Sequence, residues 1–155
     1  MKHTNWIFIA STALLLTACD GSTSSAAIGG VKGDISQDRT AAFKSFMPTF
    51  SSIGKMVNGD EAFDAIKFQK LAAQFKDEAR VPFESFQNDP QGNGDALPNI
   101  WAKPAEFKAE QDKFFAAIDK LNAAAQTGQL NSIKAAHSEV NASCKSCHQT
   151  YRRPK

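Results

Sequence analysis

Near the end of the chain stand Cys144, Cys147 and His148, in the order Cys144-Lys145-Ser146-Cys147-His148. Two cysteines three apart with a histidine directly after the second form the C-x-x-C-H pattern through which c-type haem is attached. Each part has a task. The two thiols add across the haem vinyl groups to form thioethers, and the adjacent imidazole coordinates the iron. On a helix the three residues fall at i, i+3 and i+4 and project from one face. The spacing therefore predicts one covalently attached haem c, bound through Cys144 and Cys147, with His148 as an axial iron ligand.

Two other chemistries use C-x-x-C. A redox dithiol normally follows a strand and opens a helix, whose N-terminus lowers the thiol pKa. Here the motif ends a helical pattern. A structural zinc site takes four ligands, and the remaining candidates are Cys19, His3 and His137, two of them in an apparent leader.

Only seven residues follow His148, so no methionine further along can supply a second axial ligand. The sequence candidates on the N-terminal side are Met47, Met56 and His137. His137 lies about two turns before Cys144 on the same helix and cannot reach the opposite face of the haem. It reads as a surface or boundary histidine.

The elements that must position this motif read as helices. The first is expected from Ile35 to Val57, because Phe43, Phe46, Phe50, Ile53 and Val57 recur at spacings of 3 and 4. Ser36 or Asp38 could cap it, Asn58-Gly59 ends it, and Pro48 inside it predicts a kink or local widening. The second is expected from Asp60, as its cap, to Ala79, with Phe68, Leu71 and Phe75 on one face. A crossover with turn residues, Val81 to Ile100, is expected to run over the surface. The third helix runs from Pro104 to Gln126, with Phe107, Phe114, Ile118, Leu121 and Ala125 on one side and Gly128 as its stop. The fourth starts near Leu130 and carries Ile133, Val140, Cys144 and Cys147 on one stripe. The fold class is all-α: an antiparallel up-down-up-down four-helix bundle, residues 35–155, with the haem near its C-terminus. Twelve Phe residues, eleven of them within 35–155, suit a bundle that lines a large apolar cofactor.

The N-terminus has a basic start, Lys2 and His3, and an apolar run from Trp6 to Ala18 that is too short to span a bilayer. Residues 1–18 read as a secretory signal. The sequence Leu15-Leu16-Thr17-Ala18-Cys19 resembles the lipobox of bacterial lipoproteins, which makes Cys19 the expected lipidation site and residues 19–34 a flexible tether. Ordinary cleavage after Ala18, leaving a free thiol, is the other reading. With Cys19 lipidated, all three cysteines have a use and no disulfide is expected. The implied location is the periplasm, anchored to the inner membrane; Asp20 resembles a retention signal for that membrane. A net charge of +2 before cleavage gives no sign of nucleic-acid binding.

The segment Cys144-Lys145-Ser146-Cys147-His148-Gln149-Thr150-Tyr151-Arg152 is similar to the ending of the cytochrome c′ family of class II c-type cytochromes. Pro98-Asn99-Ile100-Trp101 resembles that family's P-x-I-W segment, and Arg39 followed by Phe43 resembles its Arg and distal residue. The resemblance spans about 38–155. It implies that Arg39 binds a haem propionate, Phe43 stands over the distal face of the iron, Phe86 contacts the haem, and Arg152 lies beside the proximal His148. Phe43 departs from the family's commoner Leu or Met. The resemblance further implies a haem protein rather than an enzyme, and a possible homodimer.

Phe43 has no lone pair to offer iron. At the distal position it implies a five-coordinate haem that binds nitric oxide or carbon monoxide and passes single electrons to an unidentified redox partner. The alternative is a low-spin electron carrier with Met47, one turn beyond Phe43, as sixth ligand.

Overall fold

The structure is a computed structural model and describes residues 30–154; the leader, Cys19 and residues 19–29 of the expected tether lie outside them. The helices are α1 (Asp34–Ser45), α2 (Met47–Asn58), α3 (Ala65–Glu78), α4 (Asn99–Ala102), α5 (Pro104–Thr127) and α6 (Leu130–Tyr151), with a 3-10 turn at Val81–Ser85. Four rods form the bundle: α1 continued by α2, then α3, α5 and α6. Cross-contacts run in opposite numerical order between neighbours. Gln69 and Asn122 reach the carbonyls of Ala125 and Ala72 between α3 and α5. Between α5 and α6, Lys120 pairs with Glu139 and Glu110 with Ser146. The rods are thus antiparallel, as the up-down-up-down reading requires.

The apolar stripes point inward as their spacing demands. Phe46, Ile53 and Val57, then Phe68 and Phe75, then Phe114, Ile118 and Leu121, then Ile133 and Val140 form one buried core. Burial of a side chain of this size contributes about 1.5–3 kcal/mol, which offsets the entropy of ordering the rods.

Three expectations change. The first helix divides where a kink or local widening of one continuous helix was expected. Pro48 has no amide hydrogen to give to the carbonyl of Lys44, and α1 and α2 meet at Phe46, which has φ −85° and ψ −11°. The division puts Phe46 in the core at 5 % exposure and leaves Met47 50 % exposed. The third rod, by contrast, starts at Pro104 and stops at Gly128 (φ 67°) as expected.

The second correction concerns caps. Asp64, not Asp60, caps α3, accepting the Lys67 amide at 3.0 Å. Neither Ser36 nor Asp38 caps α1. The Ser36 amide is taken instead by Asp89, 2.8 Å away and 53 residues on.

The third concerns the crossover. It is not merely a surface loop, since Pro82, Asp89 and Ile100 are buried in it. It wraps the start of α1 as a strap. The Gly33 amide donates to Gly92 O at 2.9 Å and the Gly94 amide to Val31 O at 2.8 Å, so Val31 to Gly33 belong to the folded part. Gly33 has to be glycine here, because a Cβ would lie 2.2 Å from Asp89 Oδ1.

His137 lies at the boundary of the core, the second of the two places expected for it. It is 9 % exposed and stacks on Phe50 with centroids 5.1 Å apart. Asn141 places its amide nitrogen 3.3 Å from Nδ1 and also donates to the His137 carbonyl. Nδ1 is therefore the acceptor, and the ring proton sits on Nε2. That nitrogen is buried without a partner, facing Gly54. Burial depresses the His137 pKa below its ordinary value of 6.5. Above 6.5 the ring is neutral in both folded and unfolded chains. Below it the unfolded chain takes the proton more readily, so stability falls with pH. Relative to a His137→Phe variant, the native protein should lose at most about 1.4 kcal/mol per pH unit below that point, reduced by solvent screening because the ring borders an open groove with Lys134 and Asn141. Denaturant unfolding at pH 7.5 and 5.5 measures this, and equal losses in both proteins would remove His137 as the cause.

Candidate haem site

The local sequence puts the attachment residues on the last turns of α6, directly before Arg152 leaves the helix with extended backbone (φ −121°, ψ 140°). Cys144 and Cys147 are half-buried, and His148 beside them is exposed. Cys144 packs against the main core. Cys147 packs against a second cluster built on Ile100, Phe107 and Tyr151, with Phe83, Phe86, Ala96 and Trp101 around it. Burial pushes both thiols up to about 11, and the Glu110 and Cys144 charges add to the effect at Cys147. A redox dithiol needs the opposite, a thiolate at neutral pH. Among the described residues, no three His, Cys, Asp or Glu side chains are grouped to hold a metal ion. The geometry thus favours neither rival of the haem reading.

An aromatic chamber faces the two cysteines. The 3-10 turn brings Phe83 and Phe86, three apart, nearly above one another, as its geometry requires; their rings stack at 5.5 Å and 24°. Phe86 also meets Phe107 at 4.8 Å. Phe83 touches Phe114 and Phe115. From the other side Phe43, on α1, meets Phe46, Phe83 and Phe86 edge-on, at 5.9, 5.8 and 6.1 Å. The Trp101 indole N–H donates to Phe86 O at 2.7 Å and ties the aromatic strap to α4.

Arg39 closes one end of this chamber. It is 5 % exposed. Its guanidinium donates to Ser85 O at 2.9 Å and to Asn93 O at 2.8 Å, and lies 4.9 Å above the Phe86 ring. Burial lowers its pKa, and the nearby Asp89 charge opposes that shift. Arginine stays charged in any such site. At Asp89, burial raises the carboxyl pKa, but the Ser36 and Gln91 amides, the Ser36 hydroxyl and the Arg39 charge outweigh it and hold it low. The strap and α1 are thus joined by one cation and one anion.

At the other end, Arg152 reaches Asp95 at 3.5 Å. The backbone reinforces this join, with the Leu97 amide donating to Tyr151 O and the Arg153 amide to Asp95 O. The fold therefore brings Arg39, Phe43 and Phe86 together, and places Cys147 beside the Phe86 cluster. Arg152 follows the motif on the same chain end, held by the strap. Met47 lies on α2 beyond the break.

Sequence reasoning missed Phe83, which stands at the centre of the chamber, and Asp89, which caps α1. The pair Phe83 and Phe86 flanking Glu84-Ser85 was readable as a turn of helix inside the crossover, since Pro82 suits its start. Nothing in the sequence pointed Asp89 at α1.

This donor set fits a c-type haem. Two thiols on one helix face an almost wholly apolar aromatic lining, an imidazole follows them, and a buried guanidinium stands at one end to meet an anionic group.

The sequence profile of a family described as Cytochrome C' matches residues 34–152. The cytochrome c' of Alcaligenes xylosoxydans xylosoxydans is 36% identical over 117 residues, covering 76% of this chain and 91% of that protein. The cytochrome c' of Rubrivivax gelatinosus is 36% identical over 122 residues, covering 77% and 95%. Among solved structures, a nitric oxide complex of a mutant of cytochrome c prime from Alcaligenes xylosoxidans is 34% identical, with a TM-score of 0.74, over 79% of this chain and 95% of that one.

Proposed function

The chain belongs to the cytochrome c′ family, whose members carry one covalently attached haem c, and from that premise we propose a five-coordinate, gas-binding haem protein that also passes single electrons. Cys144 and Cys147 would hold the haem, and His148 would be its single axial protein ligand. Bound there, the group supplies an iron able to take a small ligand and a one-electron couple.

The observation that carries the reading is Phe43 within the aromatic chamber, in edge contact with three rings. A phenyl ring cannot coordinate iron. It offers no hydrogen-bond donor, so a polar ligand such as dioxygen gains nothing from it. Its bulk must move before a ligand enters. Small, nearly apolar ligands, nitric oxide and carbon monoxide, fit those terms. Nitric oxide complexes of mutants of a relative of this fold, the cytochrome c prime of Alcaligenes xylosoxidans, support the choice. Arg39 would give its remaining N–H donors to a propionate, and Arg152, steered by Asp95, would bound the side of His148.

The low-spin alternative needs Met47 at the iron. Its 50 % exposure, on the far side of the break at Phe46, weighs against it. The visible spectrum tests the choice. High-spin bands in ferric and ferrous protein, unchanged in Met47→Leu, are expected. A low-spin spectrum with a methionine–iron charge-transfer band, lost in that variant, would sink the five-coordinate reading.

Export to the periplasm, with Cys19 lipidated, is proposed from the leader and lipobox-like run. A Cys19→Ser protein should leave the membrane fraction; if it stays there, the anchor is elsewhere.

A further inference from the structure

Glu110 lies on α5, outside every motif discussed above. Its Oε2 accepts the Ser146 hydroxyl at 3.1 Å. Ser146 stands between the two attachment cysteines. The other oxygen, Oε1, takes the Lys113 ammonium at 2.6 Å. The two ends of this pair differ in exposure, the Glu110 side chain at 18% and the Lys113 side chain at 67%. The anion is therefore held inward, toward α6, while its counter-cation stands in water and is screened more strongly. The hydrogen bond from Lys113 keeps the Glu110 carboxyl ionised, below its usual range. Ser146 directly precedes Cys147, so the hydrogen bond places the carboxylate one residue from an attachment sulfur.

We propose that Glu110 is a positioning residue for the haem: its carboxylate ties the attachment turn to α5 through Ser146 and holds a negative charge beside Cys147 that favours ferric over ferrous iron. The inference rests on Cys147 being a haem attachment point. It does not depend on whether the iron is five-coordinate. The charge argument is one of sign. Reduction adds one electron to the iron and lowers its charge by one, so a fixed anion nearby disfavours the ferrous state and a fixed cation favours it.

The test uses the purified full-length haem protein, with its mass recorded to establish both thioethers before potentials are measured. Glu110→Gln keeps an oxygen for Ser146 but removes the charge. Its one-electron equilibrium should move about three- to tenfold toward ferrous, about 30–60 mV upward in midpoint potential. Lys113→Gln, at an exposed position that tolerates change, leaves the anion uncompensated and should move the equilibrium the other way, by a smaller factor. Ser146→Ala keeps the charge and cuts the tether. It should leave the midpoint within about twofold of the native equilibrium while shifting or broadening the iron–histidine stretching band in the ferrous Raman spectrum. Unmoved potentials in both charge variants, or shifts of the same sign, overturn the role of the charge. An unchanged Raman band in Ser146→Ala overturns the tether. A mass lacking the Cys147 thioether overturns the attachment reading and this proposal with it, whereas unmoved potentials with the thioether in place overturn this proposal alone.

Discussion

Phe43→Ala should raise the carbon monoxide affinity of the ferrous protein by about ten- to a thousandfold. The size follows from what the ring must give up when it moves. Phe43 makes edge-on contacts with Phe46, Phe83 and Phe86 at 5.8–6.1 Å. Each such pair is worth about 0.5–1.5 kcal/mol. Displacing the ring breaks three, so about 1.5–4.5 kcal/mol is withheld from any ligand that enters, and each 1.4 kcal/mol is a factor of ten in affinity. Alanine removes the lid and returns that energy to binding. Phe43→Leu, smaller and without the edge contacts, should fall between. The affinity is measured by equilibrium titration of the reduced protein, or from the ratio of association and dissociation rates. An affinity in Phe43→Ala within twofold of the native value would mean that Phe43 does not stand in the ligand's way.

Arg39→Ala should cost about 3–5 kcal/mol of stability. Two hydrogen bonds from a charged donor, to Ser85 O and Asn93 O, are lost, each worth about 1.5–3 kcal/mol. Asp89 is left without its cation, and Phe86 without the guanidinium above its ring. The strap is joined to α1 chiefly through these groups, so loosening is expected to centre there. Amide exchange of Gly92, Gly94 and Ser36 should accelerate more than that of Ile118 or Leu121 in the core. Arg39→Lys, which keeps the charge but not the fork, should recover part of the loss. Denaturant unfolding gives the total. A loss under about 1 kcal/mol, with no faster exchange in the strap, would show that the strap is held by its own backbone contacts to Val31 and Gly33.

These two predictions fall on residues that differ in how they could be found. Arg39 and Phe43 were readable one turn apart on a helix, from a family resemblance and a 3–4 spacing. What they touch was not. Phe83, Phe86 and Asp89 sit in a crossover whose Gly, Asn and Pro content reads as surface turn. Composition records the turns but not the burial of the few apolar and acidic groups between them, because burial there depends on which rod the strap crosses. The same limit explains the caps. Asp60 and Asp64 are both acidic residues before an apolar run, and local preference does not choose between them. At α1 the cap comes from 53 residues away, beyond the reach of any local rule.

What the sequence by itself determined is what depends on short spacings. The C-x-x-C-H motif places two thiols and an imidazole on one helix face, and three apolar stripes with Pro and Gly punctuation place α3, α5 and α6 around it. Helical period is a local property, and a four-residue offset means the same thing wherever the helix lies. Tertiary structure alone decided that Pro48 divides the first rod, burying Phe46 and turning Met47 out. It alone set Phe83 at the centre of the chamber, joined Asp89 and Arg39 across the strap, stacked His137 on Phe50, and put the Glu110 carboxylate on Ser146. Apart from the local division at Pro48, each of these pairs groups far apart in sequence. Their meeting is set by the packing of whole rods and by the need to satisfy buried polar atoms, which no window of neighbouring residues contains.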